Sequence, residues 1–243
     1  MKHRLAQSLA DITMLLRLSL RLQLGRRLWL VPALALLWPA YHAITVLAGW
    51  RELPFDAATV QNGLIGIPLA VLAIGLGVRV VAAEIEQRTL EVAYTVPGGA
   101  RRVWIGKLGA VAVPLLATAL LLAIFAIVFS PRYPLMAVYG ALQGAAFYLV
   151  LAAGLGALLR NEITAALVAS VVLGLNGFLT GFGDAPSRWS PLFNPLVPVK
   201  NASETEMLAW TVQNRIGFVL LIVSLVVLTC ARAERREKLL SMG

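Results

Sequence analysis

Runs of twenty or so mostly apolar residues recur along this chain, and they limit what it can fold into more than any other feature. A helix of that length matches the hydrocarbon thickness of a bilayer. Six such runs are present, at about 28–50, 62–83, 103–129, 135–159, 163–183 and 215–231. The balance of residues agrees: 59% are hydrophobic and 14% charged, with mean hydropathy +0.81, whereas soluble domains carry about 25% charged residues. The expected fold is an all-α membrane protein. Residues 1–27 read as an amphipathic interfacial helix, 28–231 as one domain of six transmembrane helices, and 232–243 as a cytoplasmic tail.

The net charge of +9 is spread beside the apolar runs rather than gathered on one soluble face, so it reads as topology and not as a nucleic-acid site. With both ends placed inside, sixteen Lys and Arg fall on inside segments and five on outside ones, the asymmetry that orients membrane proteins. Both termini are expected in the cytoplasm. In residues 1–27, Leu5, Leu9, Ile12, Leu16 and Leu20 form one helical stripe interrupted by no cleavage site, so the segment should lie in the inner interface. Cys230 is the sole cysteine, which excludes an internal disulfide or a cysteine zinc site and leaves a small packing residue.

Prolines at 32, 39, 68 and 114 fall inside the runs, where neighbours must satisfy the carbonyls they free. Small residues, Gly75, Gly77, Ala82, Ala83, Gly154 and Gly156, would permit close helix contact. Trp29 and Trp104 are expected at the inner interface, and Trp50, Trp189 and Trp210 at the outer one. Residues 184–214 combine four prolines with Trp189, Leu192, Phe193, Leu196 and Val197, a mixture that suits short helices dipping into the outer leaflet.

Motifs for chemistry are missing. Gly106-Lys107 resembles the end of a phosphate-binding loop, but Leu108 and Arg101 stand where Ser/Thr and Gly are needed. HExxH and GxSxG do not occur, and His3 and His42 are far apart. The polar residues left in the runs, His42, Thr45, Gln143, Asn176 and Thr180, fall mostly in the outer half. They either line a shared pathway or make interhelical hydrogen bonds.

Residues 84–107 form the one long charged passage within the apolar sequence. Thr89 can cap a short helix with Glu91 in its first turn. Pro97-Gly98-Gly99 ends it, and Arg101, Arg102 and Lys107 anchor the chain at the anionic inner leaflet before the third run.

At these residues the chain resembles the ABC-2 family of ATP-binding-cassette transporter permeases. That family's pattern after its second span is acidic–x–acidic, Gly-Thr-Leu-Glu, a proline, basic residues, then Gly-Lys. Glu84, Glu86, Thr89-Leu90-Glu91, Pro97, Arg101 and Gly106-Lys107 match it in order, while Arg88 replaces the glycine and Gly98-Gly99-Ala100 lengthens the approach to the arginines. The resemblance extends to the layout of an interfacial N-terminal helix, six spans and an apolar external segment before the last. It implies that this segment is a cytoplasmic coupling helix docking on a separate ATPase, with Glu84, Glu86, Thr89, Leu90, Glu91 and Arg101 as contact or positioning residues.

It further implies two ATPase copies, a second permease subunit (identical or homologous), and the bacterial or archaeal cytoplasmic membrane as location. The chain itself would be no enzyme and hold no cofactor, ATP and Mg being bound by the partner. The function implied is export of a small amphipathic or hydrophobic cargo. A membrane scaffold or sensor driven by the same kind of ATPase is the alternative, and an intramembrane lipid enzyme finds no paired carboxylates, His cluster or nucleophile motif to support it.

Overall fold

A computed structural model describes residues 30–86, 99–181, 188–197, 199 and 202–234. Among them are helices and connecting turns, with no strand. The helices are α1 (Leu30–Leu47), α2 (Ala57–Glu86), α3 (Gly99–Phe129), α4 (Leu135–Leu159), α5 (Glu162–Gly181) and α6 (Glu204–Glu234). Five of these, α2 to α6, are long and apolar enough to cross a membrane. The N-terminal interfacial helix and residues 89–91 of the coupling segment lie outside the described residues, as does the tail beyond 234.

Chain chemistry explains the helix ends. Asp56 accepts a hydrogen bond from the Thr59 backbone N–H at 3.0 Å and opens α2. Pro68 follows a π-helical stretch, Val60–Gly66, in which the Ile67 N–H reaches the Asn62 carbonyl. Widening the turn ahead of a proline relieves the clash between its ring and the preceding carbonyls. Between α4 and α5 the turn is tight: Arg160 adopts a left-handed conformation with φ 58°, and Asn161 caps α5 by accepting from the Thr164 N–H at 2.8 Å.

The last run starts earlier than the sequence reading placed it. α6 begins at Glu204 rather than near 215, because Ser203 and Glu206 form a reciprocal cap. The Ser203 N–H donates to the Glu206 carboxylate at 2.8 Å, and the Glu206 N–H donates to Ser203 Oγ at 3.2 Å. The external segment is correspondingly shorter. In its described part, residues 188–197 form turns rather than the expected short helices, and Ser190 to Asn194 are buried. Trp104 is fully buried among the helices. Lys107 is buried in an ion pair with Glu84 rather than set on a lipid surface.

The centre of the molecule is the parallel pair α2 and α4, whose contact is the most extensive between any two elements. Small residues bring their backbones together. A Cβ built at Gly77 would lie 2.3 Å from the Leu149 carbonyl oxygen, and one at Gly156 would lie 3.0 Å from that of Val78. Ala70, Ala73, Val81, Ala145, Ala152 and Ala153 fill the same seam and are fully buried. The other helices pack around this pair. α5 is the most peripheral, with 11% of its most apolar stretch buried, so most of its surface is left for lipid or another protein.

Replacing Gly77 by Ala should destabilise the bundle by about 1–3 kcal/mol, the usual cost of overpacking where the neighbour is backbone. Gly75→Ala, two residues away with nothing within 4 Å of its Cβ position, should stay within about 0.5 kcal/mol of the wild type. Thermal unfolding of the two variants in one detergent measures the difference.

Candidate functional site

Residues 188–197 cross the bundle as a strap whose central residues, Ser190 to Asn194, are all buried. The strap rests on α4 at Gly144, where an added Cβ would meet the Pro191 carbonyl at 2.8 Å. Gly144 lies nine residues into α4, about 13 Å along the helix. Irregular backbone at such a depth needs every polar group satisfied, and the sequence supplies the partners locally and from three helices.

Ser190 Oγ accepts from the Leu192 N–H at 2.9 Å, and Asn194 Oδ1 accepts from the Leu196 N–H at 3.0 Å. These are the short-range turns that serine and asparagine favour. The carbonyls are met by amide side chains. Gln61 donates to Phe193 O at 2.9 Å and Asn62 to Leu192 O at 3.3 Å, both from the π-helical stretch of α2. From α6, Asn214 donates to Arg188 O at 2.8 Å and Ser190 O at 2.9 Å. In return Ser190 donates to Asn176 Oδ1 of α5 at 2.5 Å, and Asn194 donates to Ala58 O of α2 at 2.9 Å.

Arg215 lies beside this network. Its Nη1 donates to Gln143 Oε1 at 2.8 Å while Gln143 Nε2 donates to the Arg215 carbonyl at 2.8 Å. The Tyr139 ring stands 5.4 Å from the guanidinium carbon, close enough for a cation–π contact. Gly140 makes room for both groups, since a Cβ there would fall 2.7 Å from Arg215 Nη2 and 2.8 Å from Gln61 Nε2. Two members of this cluster are not fully satisfied: Arg215 Nε and Nη2, and Gln61 Oε1, are buried without a hydrogen-bond partner.

The five polar residues picked from the sequence are therefore divided. Gln143 and Asn176 belong to this node. Thr180 bonds back to the Asn176 carbonyl within α5 at 2.9 Å. His42 and Thr45 lie elsewhere: Thr45 bonds to the His42 carbonyl at 2.8 Å, and His42 packs among the rings of Trp38, Tyr41, Phe55 and Phe129. Gln61, Asn62, Asn194, Asn214 and Arg215 were not singled out beforehand. Their signal was available as amides and one arginine placed in or next to apolar runs, but the late start read for the last run left Asn214 outside it and Arg215 at its edge.

At the opposite end, the flanks of the charged segment are tied into the bundle. Glu84 of α2 pairs with Lys107 of α3. The Glu86 carboxylate accepts from the Glu162 N–H at the start of α5 at 2.9 Å, a favourable place for a negative charge. Arg79 Nε stands 3.9 Å from the Glu162 carboxylate. Arg101 is exposed. Among the described residues no three His, Cys, Asp or Glu side chains lie close enough together to hold a metal.

Asn214→Ala removes two bonds to the strap, each worth about 1 kcal/mol. Hydrogen exchange at the Phe193 amide, which bonds Ser190 O at 3.0 Å, should then quicken roughly tenfold while helix-core amides keep their protection. No protein-family model, curated protein or solved structure matches this chain.

Proposed function

We propose that this chain is the membrane-spanning permease subunit of an ATP-binding-cassette exporter of the ABC-2 type. It would have six spans, with α1 as the shortest, and both termini would lie in the cytoplasm of a bacterium or archaeon. Two such subunits (or one with a homologue) would enclose the pathway, and two ATPase copies would bind ATP and Mg. The cargo would be a small amphipathic or hydrophobic molecule, since no outer segment is long enough to form a receiving domain.

One observation carries the reading. The charged segment whose residues resemble a coupling helix is flanked by acids braced against two further helices, Glu84 on Lys107 and Glu86 on the N-terminus of α5. A force delivered through these flanks would thus act on α2, α3 and α5 together. Rigid levers of this kind let a docked ATPase bias a bundle between two arrangements. Under this reading Glu84 and Glu86 are positioning residues, and contact with the ATPase falls to Thr89, Leu90, Glu91 and Arg101.

Glu91→Lys should reduce retention of the ATPase during mild-detergent purification about tenfold, equivalent to about 1.4 kcal/mol. Glu86→Gln should retain the partner yet lower cargo-stimulated ATP hydrolysis. Stoichiometric retention by Glu91→Lys would sink the docking assignment. An ATPase that binds but never responds to cargo would favour the scaffold or sensor instead.

A further inference from the structure

Arg215 uses only part of its guanidinium. It lies eleven residues into α6, about 16 Å from the helix start, where the apolar stretch of that helix begins. Part of its guanidinium is nonetheless buried inside the bundle, and an ionisable group so placed is a functional candidate. Nη1 is taken by Gln143, while the Nε and Nη2 hydrogens, the edge that pairs bidentately with carboxylate and phosphate, have no partner. The two side-chain ion pairs found among the described residues, Arg79–Glu162 and Lys107–Glu84, both lie elsewhere. Gln61, 1% exposed, adds an unsatisfied amide oxygen, and its amide and Arg215 Nη2 both lie beside the Gly140 Cβ position. Groups left in that state call for a missing partner.

Access is from the side. Tyr139, whose ring covers the guanidinium, is 49% exposed, and Val212 and Ile216 beside Arg215 on α6 are also exposed. The cation therefore lies one side chain away from lipid, between α4 and α6.

We propose that Arg215 binds the anionic head group, a phosphate or a carboxylate, of an amphipathic molecule entering laterally between α4 and α6 past Tyr139. The occupant is either a resident bilayer lipid or the exported molecule. Only the second identification rests on the permease reading; binding itself does not. Gln143 would orient the guanidinium from one side, leaving the bidentate edge for the ligand, and Gly140 would keep that edge free of a methyl group.

The test uses the full chain alone, stripped of lipid in detergent and titrated with phosphatidylglycerol, phosphatidylcholine or dodecyl phosphate while bound copies are counted by native mass spectrometry. The wild type should bind one copy of an anionic probe at least about tenfold more tightly than phosphatidylcholine, matching loss of a charge-assisted bond pair. Arg215→Gln should abolish that preference, and Arg215→Lys, which keeps charge without the fork, should keep only part of it. Gly140→Ala crowds Nη2 with the charge intact and should also lose it, which covers the case in which Arg215→Gln does not fold. Arg132→Gln, an exposed loop arginine, should behave as the wild type. Tighter phosphatidylglycerol names a resident lipid, and tighter dodecyl phosphate names a cargo-like single-chain anion. Equal binding of anionic and zwitterionic probes by the wild type would overturn the site, as would an equal loss in Arg132→Gln. Neither result bears on whether an ATPase docks at the far end, which co-purification decides separately.

Discussion

Where Gly77 faces the Leu149 carbonyl, the backbones of α2 and α4 approach closer than any side chain would allow, and this contact sets the frame for the other helices. In lipid, helices gain little from hiding apolar surface, so close packing of small residues has to supply the attraction. α2 and α4 do this over several turns with Gly and Ala. Each then presents its remaining faces at fixed positions: α2 offers Gln61 and Asn62 to the strap at one end and Glu84 and Glu86 to α3 and α5 at the other. α4 offers Gly140, Gly144 and Gln143 to the strap and to α6.

The two polar regions at the ends of this pair differ in kind. At the charged end, acids meet bases or a helix N-terminus, and the ties link α2 to α3 and α5. At the strap end, neutral amides hold irregular backbone, and one arginine has no acid paired with it among the described residues. The first arrangement suits transmission of a displacement, because its ties join helices that otherwise meet along apolar faces. The second suits recognition, because it holds polar groups in a low-dielectric site where an unmet hydrogen-bonding edge is costly. Both regions share α2 as a rigid connection, so a tilt of α2 would alter them together.

Much of the fold was legible from the apolar runs. The described helices α2 to α5 fall where runs of about twenty apolar residues predicted them, and α1 lies within the first run. α6 was misplaced at its start because its first turns are polar, whereas the Ser203–Glu206 cap set the real start at Glu204, eleven residues before 215. The polar site was half legible. Gln143 and Asn176 stood out as amides inside apolar runs, but His42 and Thr45 carried the same signal and joined an aromatic cluster instead. One-dimensional position says that a polar group is buried, not which partner it meets.

The sequence by itself determined that the chain is helical and suited to a bilayer, since the length of an apolar run and the need to satisfy backbone groups leave few choices. It also placed the charged passage between the second and third helices. Only the tertiary structure decided which residues share a site. The strap's carbonyls are met by side chains more than twenty residues away or, in the case of Gln61, 132 residues away, and Gly140 matters because of an arginine on another helix. Such pairings depend on helix rotation and depth, which are set by how small residues on α2 and α4 let two backbones meet, and no local pattern encodes that.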